Sequence, residues 1–265
     1  MNLMMTRVSR LFIALLVALG FSLELIAAKK PKKEPDVLIV ADNFGHDVNL
    51  LRPSETNPIN YLLLGGQQWD LGSSVAGEKM PPASELEALI HRTLASQGFT
   101  HTQVGGPMPQ IVIVYGYGSA YLEVDEYSED DVDSESGEIT GSTTTTTMLN
   151  GREIFALAGA AKVRGKILSS AITDEINDAI QTGRLYITVS ALDAQALREK
   201  KKKIVWRTRI SIPSRGNWLP DAMEVMLASA APFFGADSDM PVILREEDRR
   251  KTDVQIGEAT VVDEP

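Results

Sequence analysis

Two segments in which apolar and other residues alternate with a period of two constrain the fold more than any other part of the sequence. They cover residues 184–193 and 203–213, and a charged connection separates them. A strand with one apolar face has to bury that face, and a polar connection of this length can return the chain as an antiparallel hairpin. We therefore predict a hairpin whose covered face carries Ile204 and Trp206.

Shorter apolar runs predict further strands around this hairpin. Residues 36–41 and 110–117 are apolar at consecutive positions, which is typical of strands covered on both faces. Two other short runs flank the dipeptide Gly65-Gly66, which favours a tight turn because glycine readily adopts positive φ. This second pattern predicts another hairpin.

Apolar residues at helical spacing predict three to four helices. In the clearest one, Ser84 and Glu87 form a capping-box pattern and Gly98 provides the stop. Its apolar stripe consists of Leu86, Leu89, Ile90 and Leu94. The other helical patterns lie at residues 150–161, 167–180 and 220–230.

Together the strand and helix patterns predict a single α+β domain at residues 36–235. We expect a mixed, largely antiparallel sheet with the three to four helices packed on it. Residues 236–265 are mostly polar, and we expect them to form a frayed tail outside the domain.

The amino-terminal residues have the order of a secretory signal peptide. Arg7 and Arg10 precede an apolar run at residues 11–23, and Ala28 offers a small residue for cleavage. We predict a signal peptide at residues 1–28, followed by a basic linker at residues 29–35, and hence a periplasmic or secreted protein. An uncleaved anchor is the alternative; after cleavage we expect no membrane span.

Charge and cysteine content exclude several classes of function. The formal net charge is -10, which argues against nucleic acid as a partner because phosphate binding requires concentrated lysine and arginine. The sequence contains no cysteine, so disulfides, thiolate metal sites, thiol nucleophiles and lipidation of a cysteine are ruled out.

An acidic segment at residues 123–138 is the strongest candidate for a metal site. It carries carboxylates at alternate positions, Asp131, Asp133 and Glu135, and hard cations such as calcium are held by several oxygen ligands. The glycine and glutamate positions of a calcium-binding EF-hand loop are missing, so a solvated loop that keeps a sheet edge soluble is the other interpretation. Calcium is the one cofactor that the sequence suggests.

Histidines and lysines give weaker signals. The histidines do not converge in the sequence, and we expect His91 to be a solvated ion-pair partner of Glu87 one turn earlier. His46 follows a predicted strand, and catalytic groups often gather at such positions. Ordinary loop composition explains a histidine there equally well. Lys200 to Lys203 could attract an anionic lipid or polymer, although four lysines at the tip of a hairpin usually serve only to keep the protein soluble.

Four short stretches resemble uncharacterised bacterial exported proteins and, more distantly, a family of envelope lipoproteins of unknown function. These stretches are Gly-Glu-Lys-Met-Pro-Pro at 77–82, Gln-Gly-Phe at 97–99, an apolar strand at 109–114 and Lys-Lys-Ile-Val-Trp-Arg at 202–207. The similarity covers about residues 59–235, and no acylatable cysteine is present. It implies an α+β sandwich in the cell envelope and no particular activity.

We therefore expect an exported, non-enzymatic module that binds another envelope component, either a protein or a polymer. Two alternatives remain open: a hydrolase that uses carboxylates with or without a metal, and a calcium-binding adhesion or scaffold protein that acts through the acidic segment. An enzyme would require titratable groups that converge in a cleft, whereas a binding module would require an exposed apolar or aromatic patch.

Overall fold

The computed structural model describes residues 33–45, 48–73, 79–103, 105–132 and 139–252, and these form an α+β domain. The predicted signal peptide at residues 1–28 and His46 lie outside the described residues. The strands are β1 (Val37–Asn43), β2 (Asn60–Gln68), β3 (Thr100–His101), β4 (Ile111–Ala120), β5 (Val124–Val132), β6 (Ile139–Met148), β7 (Arg184–Asp193), β8 (Ile204–Pro213) and β9 (Val242–Leu244).

The helices outnumber the three to four that the sequence predicts, because several short ones join the long ones. The α-helices of the described residues are α1 (Ala83–Ser96), α2 (Gly151–Ala158), α3 (Ala160–Val163), α4 (Ser170–Gln181), α5 (Ala194–Arg198), α6 (Leu219–Ala230) and α7 (Glu246–Thr252). Two 3-10 turns cover Val48–Leu50 and Ala231–Phe233. Within the described residues no helix has the length and apolar character needed to cross a membrane.

Seven strands form one mixed sheet in the order β3-β2-β4-β7-β8-β1-β9. Strand β2 runs parallel to β3 and β4, and the remaining neighbours are antiparallel, so the predicted sheet type is confirmed. The predicted hairpin of residues 184–193 and 203–213 is also confirmed: β7 and β8 pair along their length at the centre of the sheet.

The predicted hairpin around Gly65-Gly66 is wrong. Strand β2 continues through both glycines in register with β4, and the irregularity between Leu63 and Gly65 is a bulge, where Gly65 has a φ of 115°. A Cβ atom at Gly66 would lie 2.2 Å from the ring of Tyr115, so the packing of this ring against β2 favours glycine here. The glycines therefore bend a strand instead of reversing the chain.

One face of the seven-stranded sheet is covered by α1 and α6, and the main core lies beneath them. The predicted apolar stripe of α1 is buried or half-buried there, as are Met223, Met226, Leu227 and Ala230 of α6. Trp206 is 0% exposed between Phe99 and Phe234. The predicted capping box is wrong, because α1 begins after Pro82 and has no side-chain cap. Gly98 ends the helix with a φ of 83°, as predicted.

Within the residues that the structure describes, the opposite face of the sheet is covered only at its ends. Helices α2 and α4 pack over one end, and Leu197 of α5 packs with Val112 and Leu192 at the other. Ile204 belongs to this second group, so the prediction that it shares the covered face of Trp206 is wrong. A bulge in β8, opposite Ala191 and Leu192, inserts a residue and turns Ile204 to the other side.

The carboxyl-terminal boundary predicted at residue 235 is also wrong. Ser238 exchanges hydrogen bonds with the backbone of Ala41 at 3.0 to 3.2 Å, and β9 then pairs with β1. Beyond β9, the side chain of Arg249 donates hydrogen bonds to Glu34 and to the carbonyl of Pro35. The domain thus extends through α7, because β9 pairs with β1 and its side chains Val242, Ile243 and Leu244 pack against the apolar cores.

Much of the acidic segment predicted as a loop is a strand. Strands β5 and β6 form a separate two-stranded antiparallel sheet, which we call the acidic arm (Val124–Val132 and Ile139–Met148). Asn150 fixes its base, since the side-chain amide donates to the carbonyl of Tyr121 at 2.7 Å and its oxygen accepts from the amide of Glu123 at 2.9 Å. The side chain of Asn150 is thereby engaged with the arm and makes no capping hydrogen bond to α2.

Candidate functional site

A groove of about 660 Å³ lies on the half-covered face of the seven-stranded sheet, between α2 and the β7–β8 end of the domain. Its floor consists of small or polar side chains from the central strands: Gln67, Gly116, Thr188 and Ser190. Gly116, Thr188 and Ser190 alternate with core residues, so the period of two that buries one face of β4 and β7 leaves these small or polar side chains on the second face. We call this feature the cationic groove for the charges described next.

Four basic side chains line the cationic groove: Arg152, Lys202, Arg207 and Arg209. Arg207 and Arg209 lie two residues apart on β8 and point away from Trp206, while Arg152 comes from the first turn of α2 and Lys202 from the β7–β8 connection. Residues distant in the sequence therefore contribute positive charge to one concavity in a chain whose net charge is -10.

Only one of the four cations has an acidic partner among the described residues. Arg209 forms an ion pair with Asp42, which Lys162 also approaches at 3.1 Å. Arg207 donates a hydrogen bond from Nε to the hydroxyl of Ser190 at 3.1 Å, and no described carboxylate lies within ion-pair distance of it. Arg152 and Lys202 likewise have no carboxylate within ion-pair distance in the described part of the chain.

The environment of Arg207 carries an excess of positive charge. Burial lowers the pKa of its guanidinium, and the neighbouring charge of Arg209 lowers it further, while Asp42 acts in the opposite direction. Arginine nevertheless remains protonated at neutral pH. A bound anion would remove the repulsion between the two guanidinium groups and supply the acceptor that the fork of Arg207 lacks.

An exposed tryptophan stands at the rim of the cationic groove. The side chain of Trp69 is 65% exposed, although its backbone is fixed on both sides. Its amide donates to the carbonyl of Tyr117 at 2.9 Å, and its carbonyl accepts a hydrogen bond from the hydroxyl of Tyr186. Tryptophan and arginine are enriched among the residues that contribute most to binding at interfaces, so an exposed indole beside these cations is typical of a binding surface.

A second polar cluster lies at the edge of the sheet below α1. Tyr61 is buried, and its hydroxyl is 2.7 Å from Nδ1 of His91; the rings of His91 and His101 are 4.6 Å apart. Parallel pairing of β2 with β3 sets His101 beside Tyr61, which brings together histidines ten residues apart. This convergence has no local signal in the sequence, because it depends on strand pairing.

The expected ion pair between His91 and Glu87 is absent from the described contacts. Glu87 instead accepts a hydrogen bond from the hydroxyl of Tyr115 at 2.8 Å. Burial lowers the pKa of His91, the nearby His101 lowers it further, and Glu87 partly offsets both effects. Burial also raises the pKa of Tyr61 to about 12. Both side chains are therefore neutral at pH 7 and form a structural hydrogen bond.

The calcium ligands predicted from the sequence are only partly described. Asp131 is exposed near the end of β5, where Thr143 donates a hydrogen bond to it at 3.4 Å, whereas Asp133 and Glu135 lie outside the described residues. In the part of the chain that the structure describes, no three histidine, aspartate or glutamate side chains are grouped to hold a metal. Calcium binding by Asp131, Asp133 and Glu135 stays a prediction.

Comparisons with known proteins give distant structural likenesses. No family model matches the chain, and no curated protein gives a significant match. A PDZ domain protein from Parabacteroides distasonis matches 81% of this chain with 10% identity and a TM-score of 0.39, and this chain spans 40% of that protein. The PelC dodecamer from Paraburkholderia phytofirmans matches 76% of this chain and 98% of its own, with 7% identity and a TM-score of 0.33. Likenesses at these TM-scores assign neither a family nor a function.

Proposed function

We propose that the protein is an exported, non-enzymatic module of the cell envelope whose cationic groove binds an anionic group of another envelope component. The observation that carries this proposal is the presence of three basic side chains around one concavity, Arg152, Lys202 and Arg207, without a described acidic partner. The proposed location follows from the amino-terminal sequence at residues 1–28.

The chemistry of the groove favours carboxylate or phosphate groups. A guanidinium presents N–H donors in a planar fork that matches both groups, and hydrogen bonds in which both partners are charged are stronger than neutral ones. Ser190 holds the Nε side of Arg207, so the remaining donors of its fork are oriented before a ligand arrives. Orientation in advance reduces the entropic cost of binding.

The lining of the groove also favours binding over chemistry. Its titratable side chains, beyond the tyrosines, are the four cations and Glu153. Hydrolysis by general acid-base catalysis would use a base and an acid that both reach the same substrate atom. The groove instead supplies donors of one charge, hydroxyl groups on its floor and an indole at its rim, which together suit recognition of an anion attached to a larger molecule.

Titration with a soluble polyanion tests this proposal. We expect poly-L-glutamate to bind at low ionic strength and to bind Arg207→Gln at least about tenfold more weakly, as expected for loss of a charge-assisted hydrogen bond. Arg164→Gln is the matched control, because Arg164 is exposed and lies outside the groove. If Arg164→Gln weakened binding of poly-L-glutamate as much as Arg207→Gln, the loss would reflect net charge and not the groove. Absence of binding by the unsubstituted protein would contradict the proposal.

The calcium-dependent alternative makes a different prediction that a thermal melt can test. A ligand that binds only the native state stabilises it by about 2.7 kcal/mol at a hundredfold excess over its Kd. We expect no rise in Tm in millimolar calcium compared with chelator at matched ionic strength. A rise of several degrees that Asp131→Asn combined with Asp133→Asn abolishes would establish the calcium site instead.

A further inference from the structure

We infer that the partner bound in the cationic groove is a second copy of this chain, which inserts its acidic arm. This inference rests on the proposed function and names the component that the groove binds. The two surfaces are separate within one chain, since no arm residue whose side chain the structure describes lines the groove. The contact therefore has to form between copies.

The acidic arm has the charge and the aromatic residue that the groove requires. On one face of β5, Tyr127 lies between carboxylates at alternate positions, with Asp125 before it and Glu129 and Asp131 after it. Their partners across the ladder on β6 are threonines and a glycine, and neither strand contains a lysine or an arginine. The arm thus presents a row of carboxylates, and neither of its strands supplies a basic side chain opposite them.

The arm also lacks support from its own domain. Its two strands pack mainly against each other, and the side chains described on them are almost all exposed, Tyr127 to 64%. An isolated two-stranded hairpin is at best marginally stable in water, and carboxylates on the same face repel one another. A positively charged surface that covers this face would relieve both problems.

The two surfaces complement each other in charge and in their aromatic residues. The groove offers Arg152, Lys202 and Arg207 without described acidic partners, and the arm offers a row of carboxylates. Each surface has one exposed aromatic side chain, Trp69 on the groove and Tyr127 on the arm. Tryptophan, tyrosine and arginine are the residues that contribute most to the binding energy of interfaces.

Binding of an arm into the groove of the next copy joins two different surfaces. In a two-fold dimer each copy can insert its arm into the groove of the other, whereas a one-way contact leaves one arm and one groove unoccupied until the copies complete a ring. Assembly should therefore give a reciprocal dimer, a closed ring or an open chain. Because the contact depends on opposite charges, it should weaken as salt screens them.

Sedimentation velocity of the full chain at two ionic strengths tests the inference. We expect assemblies at about 0.05 M salt and monomers at about 0.5 M, where the screening length falls to a few ångströms. The arm variant Asp125→Asn/Glu129→Gln/Asp131→Asn should be monomeric at both, yet bind poly-L-glutamate as the unsubstituted protein does. The control variant Glu55→Gln/Glu85→Gln/Asp174→Asn removes three exposed carboxylates outside the arm and should still assemble.

A charge swap tests direct contact between the arm and the groove. Asp125→Lys/Glu129→Lys and Arg152→Glu/Arg207→Glu should each be monomeric alone, and their mixture should sediment as a complex. Each variant should retain the Tm of the unsubstituted protein within a few degrees, since the changed side chains lie on the surface or at the open groove.

The outcomes separate this inference from the proposed function. A protein that binds poly-L-glutamate but stays monomeric at low salt overturns the inference and leaves the proposed function intact. Assembly by the neutralised arm variant, or failure of the charge-swapped pair to associate, overturns the inference as well. Absence of poly-L-glutamate binding removes the proposed function and the inference together.

Discussion

The two faces of the seven-stranded sheet are built by the same strands, yet they have opposite characters. On β8, Trp206 and Ile210 lie in the core under α1 and α6, whereas Arg207 and Arg209 line the cationic groove on the other side. Successive side chains of a strand point to opposite faces, so a single sequence segment supplies both. The comparison teaches that alternation along each strand supplies one apolar and one polar face, and that the helices then cover the apolar face and leave much of the other available for binding.

The largest expected effect comes from removing the central side chain of the packed face. Trp206→Ala should destabilise the domain by about 3 to 5 kcal/mol, because a fully buried indole leaves a cavity that its neighbours fill only in part. The measurement is urea unfolding with the midpoint and slope compared with the unsubstituted protein.

Trp69→Ala on the groove face is the matched control. It removes the same side chain from an exposed position and should change stability by no more than about 0.5 kcal/mol. Similar losses of stability for Trp206→Ala and Trp69→Ala would mean that the two faces of the sheet do not differ in packing.

A smaller effect is expected at Asp42, the carboxylate that links the groove to the rest of the domain. Asp42→Asn leaves the half-buried charges of Arg209 and Lys162 without this partner and should cost about 1 to 3 kcal/mol. The same substitution should strengthen binding of poly-L-glutamate, since Arg209 becomes available to the ligand.

The paired readout at Asp42 separates a structural role from a binding role. Asp239→Asn is the control, because Asp239 forms an ion pair with Lys166 while 92% exposed, and such pairs contribute little to stability. Weaker poly-L-glutamate binding by Asp42→Asn would contradict the placement of Arg209 in the binding surface.

The smallest expected effect is a pH dependence confined to the packed face. The pKa of His91 is lowered in the folded state, so below its ordinary value of about 6.5 the unfolded chain binds the proton more readily. The stability contributed by neutral His91 is therefore complete above that pH and is lost as the pH falls through the folded pKa.

Unfolding midpoints in urea at about pH 7.5 and about pH 5 measure this loss, and His91→Gln should make the dependence on pH flatter. Binding in the groove should change little over the same interval, because lysine and arginine stay protonated throughout. A His91→Gln variant with an unaltered pH profile would show that the pH dependence arises elsewhere.

Elements with a clear local pattern could be predicted from the sequence. The period of two at 184–193 and 203–213 defines β7 and β8, and the apolar stripe ending at Gly98 defines α1. Both patterns report a face that must be buried, and the geometry of a strand or helix converts that requirement into a spacing. Length and charge patterns alone could not reveal the bulge that turned Ile204 away from Trp206.

The candidate site could be predicted only in fragments. Arg207 and Arg209 at alternate positions and the lysine-rich connection containing Lys202 are visible in the sequence, but each alone is typical of a solvated strand or turn. Arg152 and Trp69 join them only because α2 and the end of β2 come to the same face. No local signal connects residues that distant, since the connection is made by strand order.

The sequence by itself determined the α+β class, the central hairpin, the main core helices, and an acidic chain without cysteine chemistry. The tertiary structure decided that two glycines bend β2, that the carboxyl-terminal residues pair with β1, that the acidic segment is largely a strand, and that four cations surround one groove. The first group follows from patterns within one element, which burial imposes on neighbouring residues. The second depends on contacts between distant parts of the chain, whose partners are fixed only when the whole sheet is assembled.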